Sequence, residues 1–229
     1  STADCRIRNA RVVTDDGLAE RDIVIADGVI AAVGPDAADE DDAEGTGPTD
    51  EPTEIDADGA VALPGVVDVH NHMHDDDLFP DGIDFASETA SAVAGGVTTV
   101  VELPTQTPVT DPEAFRAKRA ACEELAHVDF GLVAGNFEDV GDFGDPAATG
   151  EPALDVDVDG LLSAGTRDFK TFTAHPYRAD DRDILELMSA VGEAGGKVRV
   201  HCEAQAVMDH ARARTEGADP EVYMDSRPL

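Results

Sequence analysis

Basic residues are scarce in this chain: 16 lysines and arginines stand against 50 aspartates and glutamates, a formal net charge of −34. Lysine occurs only at Lys118, Lys170 and Lys197. Nucleic acid and anionic membrane surfaces are bound through basic patches, so no nucleic acid and no membrane partner is expected. So large an excess of one charge repels itself, and molar salt relieves the repulsion by shortening the Debye length to about 3 Å. Acidic residues spread along the whole chain therefore point to a halophilic protein. Cysteine is sparse as well. Cys5, Cys122 and Cys202 are odd in number, far apart and without a C-x-x-C pair, which argues against a disulfide framework and for a reducing, cytoplasmic setting. No apolar run approaches the roughly 20 residues of a membrane helix. No N-terminal apolar segment has the pattern of a signal peptide.

What is present falls into two parts. Residues 1–62 read as β: Arg6-Ile7-Arg8, Ala10-Arg11-Val12-Val13, Asp22–Ala26 and Val29–Val33 alternate with turn residues, and Asp27-Gly28 is a hairpin signal. Asp36–Glu54 is rich in Asp, Glu, Gly, Pro and Thr, and is expected to be a mobile acidic loop with nothing to bury. In residues 63–229, apolar strands alternate with helical stretches. Strands are expected over Val61–His70, Val97–Leu103, Val128–Ala134, Arg167–Thr173 and Lys197–His201. Helices are expected over Asp84–Ala94, Pro112–Leu125, Asp181–Ala194 and Ala204–Glu216, with Gly95-Gly96 and Gly195-Gly196 where helices hand over to strands. Repeated β-α units predict a parallel sheet, closed into a barrel or doubly wound.

The chemistry concentrates at strand ends. Leu63-Pro64-Gly65-Val66-Val67-Asp68-Val69 runs into His70-Asn71-His72. Alternation along a strand puts Asp68, His70 and His72 on one face. Two convergent imidazoles are half of a transition-metal site, although a solvated pair has the same spacing. Phe169-Lys170-Thr171-Phe172 places a lysine in an otherwise buried strand, and Lys197–Val200 ends in His201-Cys202-Glu203. Alternation returns Glu203 to the His201 face and turns Cys202 away, which argues against the thiol as a ligand. His127 and His210 read as surface residues.

The series P-G-x-x-D-x-H-x-H, F-K-x-F and H-x-E, in that order, resembles the cyclic amidohydrolases. That family comprises hydantoinases or dihydropyrimidinases, allantoinases and dihydroorotases. Tyr223-Met224-Asp225-Ser226-Arg227-Pro228 is similar to the segment that follows the third metal histidine in allantoinases and hydantoinases. The resemblance implies an α/β fold: a (β/α)8 TIM-type barrel of the metal-dependent hydrolases, with a small N-terminal β-sandwich. It implies His70, His72, Lys170 and His201 as metal ligands, two divalent ions (zinc by family habit), and a carbon dioxide-derived carbamate on Lys170 bridging them. Asp68 and Glu203 would support these ligands. The implied reaction is hydrolysis of a small-molecule cyclic amide or ureide by a metal-bridging hydroxide. A homo-oligomer, dimer or tetramer, is the implied assembly.

Departures from the family pattern narrow the substrate. Dihydroorotases grip a carboxylate with an arginine two residues past the second histidine and an asparagine after the second-strand proline; His74 and Thr105 stand at those positions. Hydantoinases place a tyrosine five residues after the lysine, where this chain has His175. Val101-Glu102-Leu103-Pro104 looks allantoinase-like. A hydantoin, dihydropyrimidine or allantoin is therefore expected ahead of dihydroorotate, with His74, Thr105 and His175 as substrate-binding candidates. Residues 63–229 fall short of the roughly 250 of a complete barrel. The resemblance therefore implies a barrel of which only the first part is present, without the family's catalytic aspartate, and inactive alone. The alternatives are a dihydroorotase or a non-catalytic dihydropyrimidinase-like protein.

Overall fold

The structure, a computed structural model, describes residues 3–39, 52–73, 83–104, 107–135, 156–174, 178–179 and 181–215. The chain divides into two compact units, Ser1–Pro64 and Gly65–Leu229.

In the first unit, β1 (Cys5–Thr14) is the central strand. It pairs antiparallel with β2 (Gly17–Ala26), which pairs antiparallel with β3 (Val29–Gly34). The hairpin between β2 and β3 turns at Asp27-Gly28, with φ of 52° and 73°, the left-handed pair that a two-residue turn between twisted strands demands. On its other side β1 pairs parallel with β4 (Thr53–Asp56) and β5 (Val61–Ala62). The described residues thus form one five-stranded sheet rather than two facing ones. The acidic segment expected over Asp36–Glu54 departs from expectation at both ends. Ala37–Asp39 forms a 3-10 turn whose Ala37 and Ala38 are buried against Ala3 and Val24, and Thr53 already belongs to β4. Two alanines are apolar enough to close that small core. The stretch between lies outside the described residues.

The second unit alternates β and α. β6 (Val66–Asn71), β7 (Val97–Glu102) and β8 (Asp129–Leu132) make one parallel sheet; β9 (Ala134–Gly135), β10 (Asp168–Phe172) and β11 (Lys197–His201) make another. A single residue, Val133, separates β8 from β9, and the Thr166 hydroxyl donates to the Leu132 carbonyl at 3.1 Å. The strands therefore follow one another in chain order. The expected Val128–Ala134 strand is broken here because β8 pairs with β7 whereas β9 pairs with β10. The expected Val61–His70 strand is also split: Pro64 has no N–H for a ladder, and Val61–Ala62 pairs in the first unit instead.

The helices are α1 (Phe85–Ala94), α2 (Pro112–Leu125), α3 (Val158–Ala164), α4 (Asp181–Glu193) and α5 (Gln205–Thr215). Asp84 forms a capping box with Ser87, and Asp111 accepts from Glu113 N and Ala114 N ahead of Pro112. Carboxylates satisfy the first-turn N–H groups and suit the positive end of the helix. The sequence reading missed α3; its signal was the Asp157 cap before Val158, Leu161 and Leu162. Phe115, Leu161, Phe169, Leu187 and Val191 form one core cluster with Ala134 and Val109. Phe85, Val100, Cys122 and Met73 form a second. Among the described residues, β6 and β11 are sheet edges, and Val67 and Val69 on β6 are 54% and 55% exposed.

Candidate metal centre

Parallel β-α units bring all their strand C-termini to one end, which is where barrel enzymes keep their chemistry. His70 and His72 close β6, with ring centroids 5.3 Å apart. Lys170 lies inside β10, in register with Arg199 on β11, and Phe172 is in register with His201. The Phe172 and His201 rings are 5.4 Å apart.

Lys170 is 1% exposed. Its Nζ sits 4.7 Å from the centre of the Phe172 ring, and no carboxylate among the described residues pairs with it. Burial holds its pKa below the ordinary 10.5, with the Arg199 guanidinium adding to the effect and a smaller opposing contribution from Cys202. Gly135 enables the burial. It packs beside Lys170 on β9 with φ of +131°, and an added Cβ would collide with the Lys170 carbonyl. Only glycine tolerates both that backbone and that approach.

His70 is pushed below its ordinary pKa of 6.5, first by desolvation, then by the positive charges of Lys170, Arg199 and His201. The His72 Nδ1 lies 3.1 Å from the Leu103 carbonyl. A carbonyl accepts only, so Nδ1 carries the proton in this bond. His201 Nε2 lies 3.1 Å from Glu203 Oε2, which leaves Nδ1 as the free donor atom. Asp68 does not reach an imidazole: it accepts from His70 N at 3.1 Å and from Asn71 Nδ2 at 2.8 Å, fixing the strand end. Cys202 is exposed, and because β11 ends at His201 the alternation that turned it away does not extend to it.

Among the described residues, no three His, Cys, Asp or Glu side chains are already clustered as a finished metal site. The donor set nevertheless fits divalent metal: three imidazoles at strand ends, His70 among them held below its ordinary pKa, and a buried amine with no carboxylate paired to it among the described residues. His74, Thr105 and His175 lie outside the described residues. His127 and His210 are exposed and stand apart from the site.

Two residues escaped the sequence reading. Arg199 reaches from β11 to Asp168 on β10 (Nη2–Oδ2 3.2 Å) and to the Val69 carbonyl on β6, so the first and last strands of the run curl toward each other. Glu102, 1% exposed at the end of β7, accepts from Met73 N at 2.7 Å and pairs with Lys118 Nζ at 2.9 Å. An acid flanked by Val101 and Leu103 in a buried strand was its signal.

Relatives along the whole chain carry the same stamp. An L-hydantoinase of Paenarthrobacter aurescens is 30% identical over 235 residues, covering 99% of this chain and 46% of the relative. An allantoinase of Rubrobacter xylanophilus is 34% identical over 238 residues, covering 100% and 47%. Among solved structures, an L-hydantoinase (dihydropyrimidinase) from Arthrobacter aurescens superposes with a TM-score of 0.74 at 28% identity, covering 99% of this chain and 47% of that one. No family model matches. Fold and relatives together define an α/β protein similar to hydantoinases and allantoinases. The chain belongs to the cyclic amidohydrolase family, and it spans about half the length of the curated relatives it matches.

Proposed function

We propose that His70, His72, Lys170 and His201 bind two divalent ions, zinc suiting three imidazoles best, in a protein that hydrolyses a C–N bond of a cyclic amide or ureide. The observation that carries this reading is Lys170: buried, without an acidic partner among the described residues, and held toward the neutral amine. A neutral amine is the form that takes up carbon dioxide, and the resulting carbamate supplies the anionic oxygens that a cation cannot. Two metals so held would polarise an amide carbonyl and make water nucleophilic at neutral pH. The protein's own part is positional. Leu103 fixes the His72 ring, Glu203 fixes the His201 ring, and Arg199 keeps positive charge near Lys170. Residues from Gly65 onward are read as β-α units of a (β/α)8 barrel, in keeping with their parallel strands. A reducing, cytoplasmic and salt-rich setting suits the free cysteines and the −34 charge. Among the described residues, no helix is long and apolar enough to cross a membrane.

The substrate is an uncharged ring, a hydantoin, dihydropyrimidine or allantoin. Histidine at position 74 cannot reproduce the bidentate fork by which arginine holds carboxylate. A charge-assisted hydrogen bond contributes about 1.5–3 kcal/mol, so its absence costs dihydroorotate roughly tenfold to a hundredfold in kcat/KM. Hydantoin, dihydrouracil, allantoin and dihydroorotate should be assayed side by side with the zinc-loaded protein. Turnover of a neutral ring ahead of dihydroorotate supports the reading; a larger kcat/KM for dihydroorotate contradicts it.

A further inference from the structure

We infer that Glu102 is a positioning residue for His72, acting through the backbone of Met73. This inference rests on the metal-site reading above. Three bonds join the end of β6 to the end of β7. Leu103 N donates to Asn71 O at 2.9 Å, His72 Nδ1 donates to Leu103 O at 3.1 Å, and Met73 N donates to Glu102 Oε2 at 2.7 Å. The imidazole is thus held on both sides along the chain, by Asn71 before it and Met73 after it. The carboxylate is the only side chain of the three anchors. Its other oxygen takes Lys118 Nζ at 2.9 Å, the two side chains being 1% and 8% exposed.

That pair is an unusual use of lysine here. Of Lys118, Lys170 and Lys197, Lys170 is buried at the candidate metal bridge, Lys118 has a side chain only 8% exposed beside Glu102, and Lys197 is exposed. A buried ion pair is a poor route to stability, since well-packed apolar residues of the same volume often serve as well or better. What an apolar pair cannot do is accept the Met73 N–H. Glu102 does so with an oxygen whose position Lys118 fixes, and Met73, 3% exposed in the core with Phe85 and Val100, is packed in place. The turn then presents His72 with its Nδ1 proton held on the Leu103 carbonyl. Groups that orient a ligand in this way typically change metal affinity about 10- to 100-fold when removed.

Two double variants of the full chain separate positioning from folding. In E102L/K118M the pair is apolar and the acceptor is gone; in E102Q/K118M the charge is gone but an acceptor for Met73 N–H remains. The first readout is the His72 tautomer in the metal-free protein, from nitrogen-15 NMR of the imidazoles. The second is zinc affinity against a competing chelator in bicarbonate buffer. The wild type and E102Q/K118M should hold the Nδ1–H form. E102L/K118M should melt cooperatively yet show mixed tautomers, and bind zinc about 10- to 100-fold more weakly. A wild-type tautomer with wild-type zinc affinity in E102L/K118M overturns the inference. Loss of cooperative melting in E102L/K118M overturns it too, making the pair structural. A wild-type protein that binds no zinc defeats the metal reading, while the tautomer comparison still decides the role of Glu102.

Discussion

Burial of Lys170, with the Arg199 guanidinium nearby, disfavours its ammonium form, so its folded pKa lies below the unfolded 10.5. Between those two values the unfolded chain binds more protons, and stability rises with pH; below both, the buried charge opposes folding in full. Lys170→Met should therefore raise the melting temperature of the metal-free protein, by about 2–4 °C for each kcal/mol recovered, while removing the stabilisation that zinc gives the wild type. A lower melting point in the metal-free variant would contradict this. His70 follows the same sign. Its folded pKa lies below 6.5, so its contribution is intact above that pH and is lost as the unfolded histidine gains its proton below it. Denaturant titrations of wild type and His70→Gln should show the wild type losing more stability between pH 7 and pH 5; equal losses would contradict it. The positions of His70, His72, Lys170 and His201, in or just after strands, were legible in the sequence because apolar runs mark β6, β10 and β11. Glu102 and Arg199 were not. Each acts on backbone distant in sequence, Glu102 on Met73 N and Arg199 on the Val69 carbonyl, and no local pattern encodes such a partner.

The strand β9 is two residues long, yet it carries Gly135 against Lys170. Gly135→Ala places a side chain at φ of +131° and forces it on the Lys170 carbonyl. Strain of this kind costs of order 1–3 kcal/mol before the clash is counted, so thermal melting should fall by several degrees and zinc uptake should fall with it. An unchanged melting point would show that β9 is not tied to Lys170 as described. The elements themselves were unevenly legible. α1 and α2 follow from their aspartate caps, α1 and α4 from the glycines after them, and all three from apolar spacing. The break of Val61–His70 at Pro64 could be read from the missing N–H, but the pairing of Val61–Ala62 with β1 could not. Ala37–Ala38 was hidden by its acidic surroundings, since two small residues give no periodic signal.

Across the whole molecule, the −34 charge is too large for ion pairing to neutralise. Exposed pairs such as Arg119–Glu123 and Arg182–Glu186 contribute roughly 0.3–0.5 kcal/mol each at most. Screening is the remaining remedy. Molar potassium chloride should raise the melting temperature, and a salt-independent melting point would contradict salt adaptation. The order of parallel strands from β6 to β11 was legible from β-α alternation, and its curl, tied by Arg199 to Val69, was not. The most direct test of the metal centre is a carbon-13 NMR spectrum of the zinc-loaded protein prepared in labelled bicarbonate, with Lys170→Met alongside. A carbamate carbon that appears with zinc in the wild type, and is absent from Lys170→Met together with the bound zinc, is the predicted result. Zinc bound equally by both proteins, with no carbamate signal in either, would contradict it.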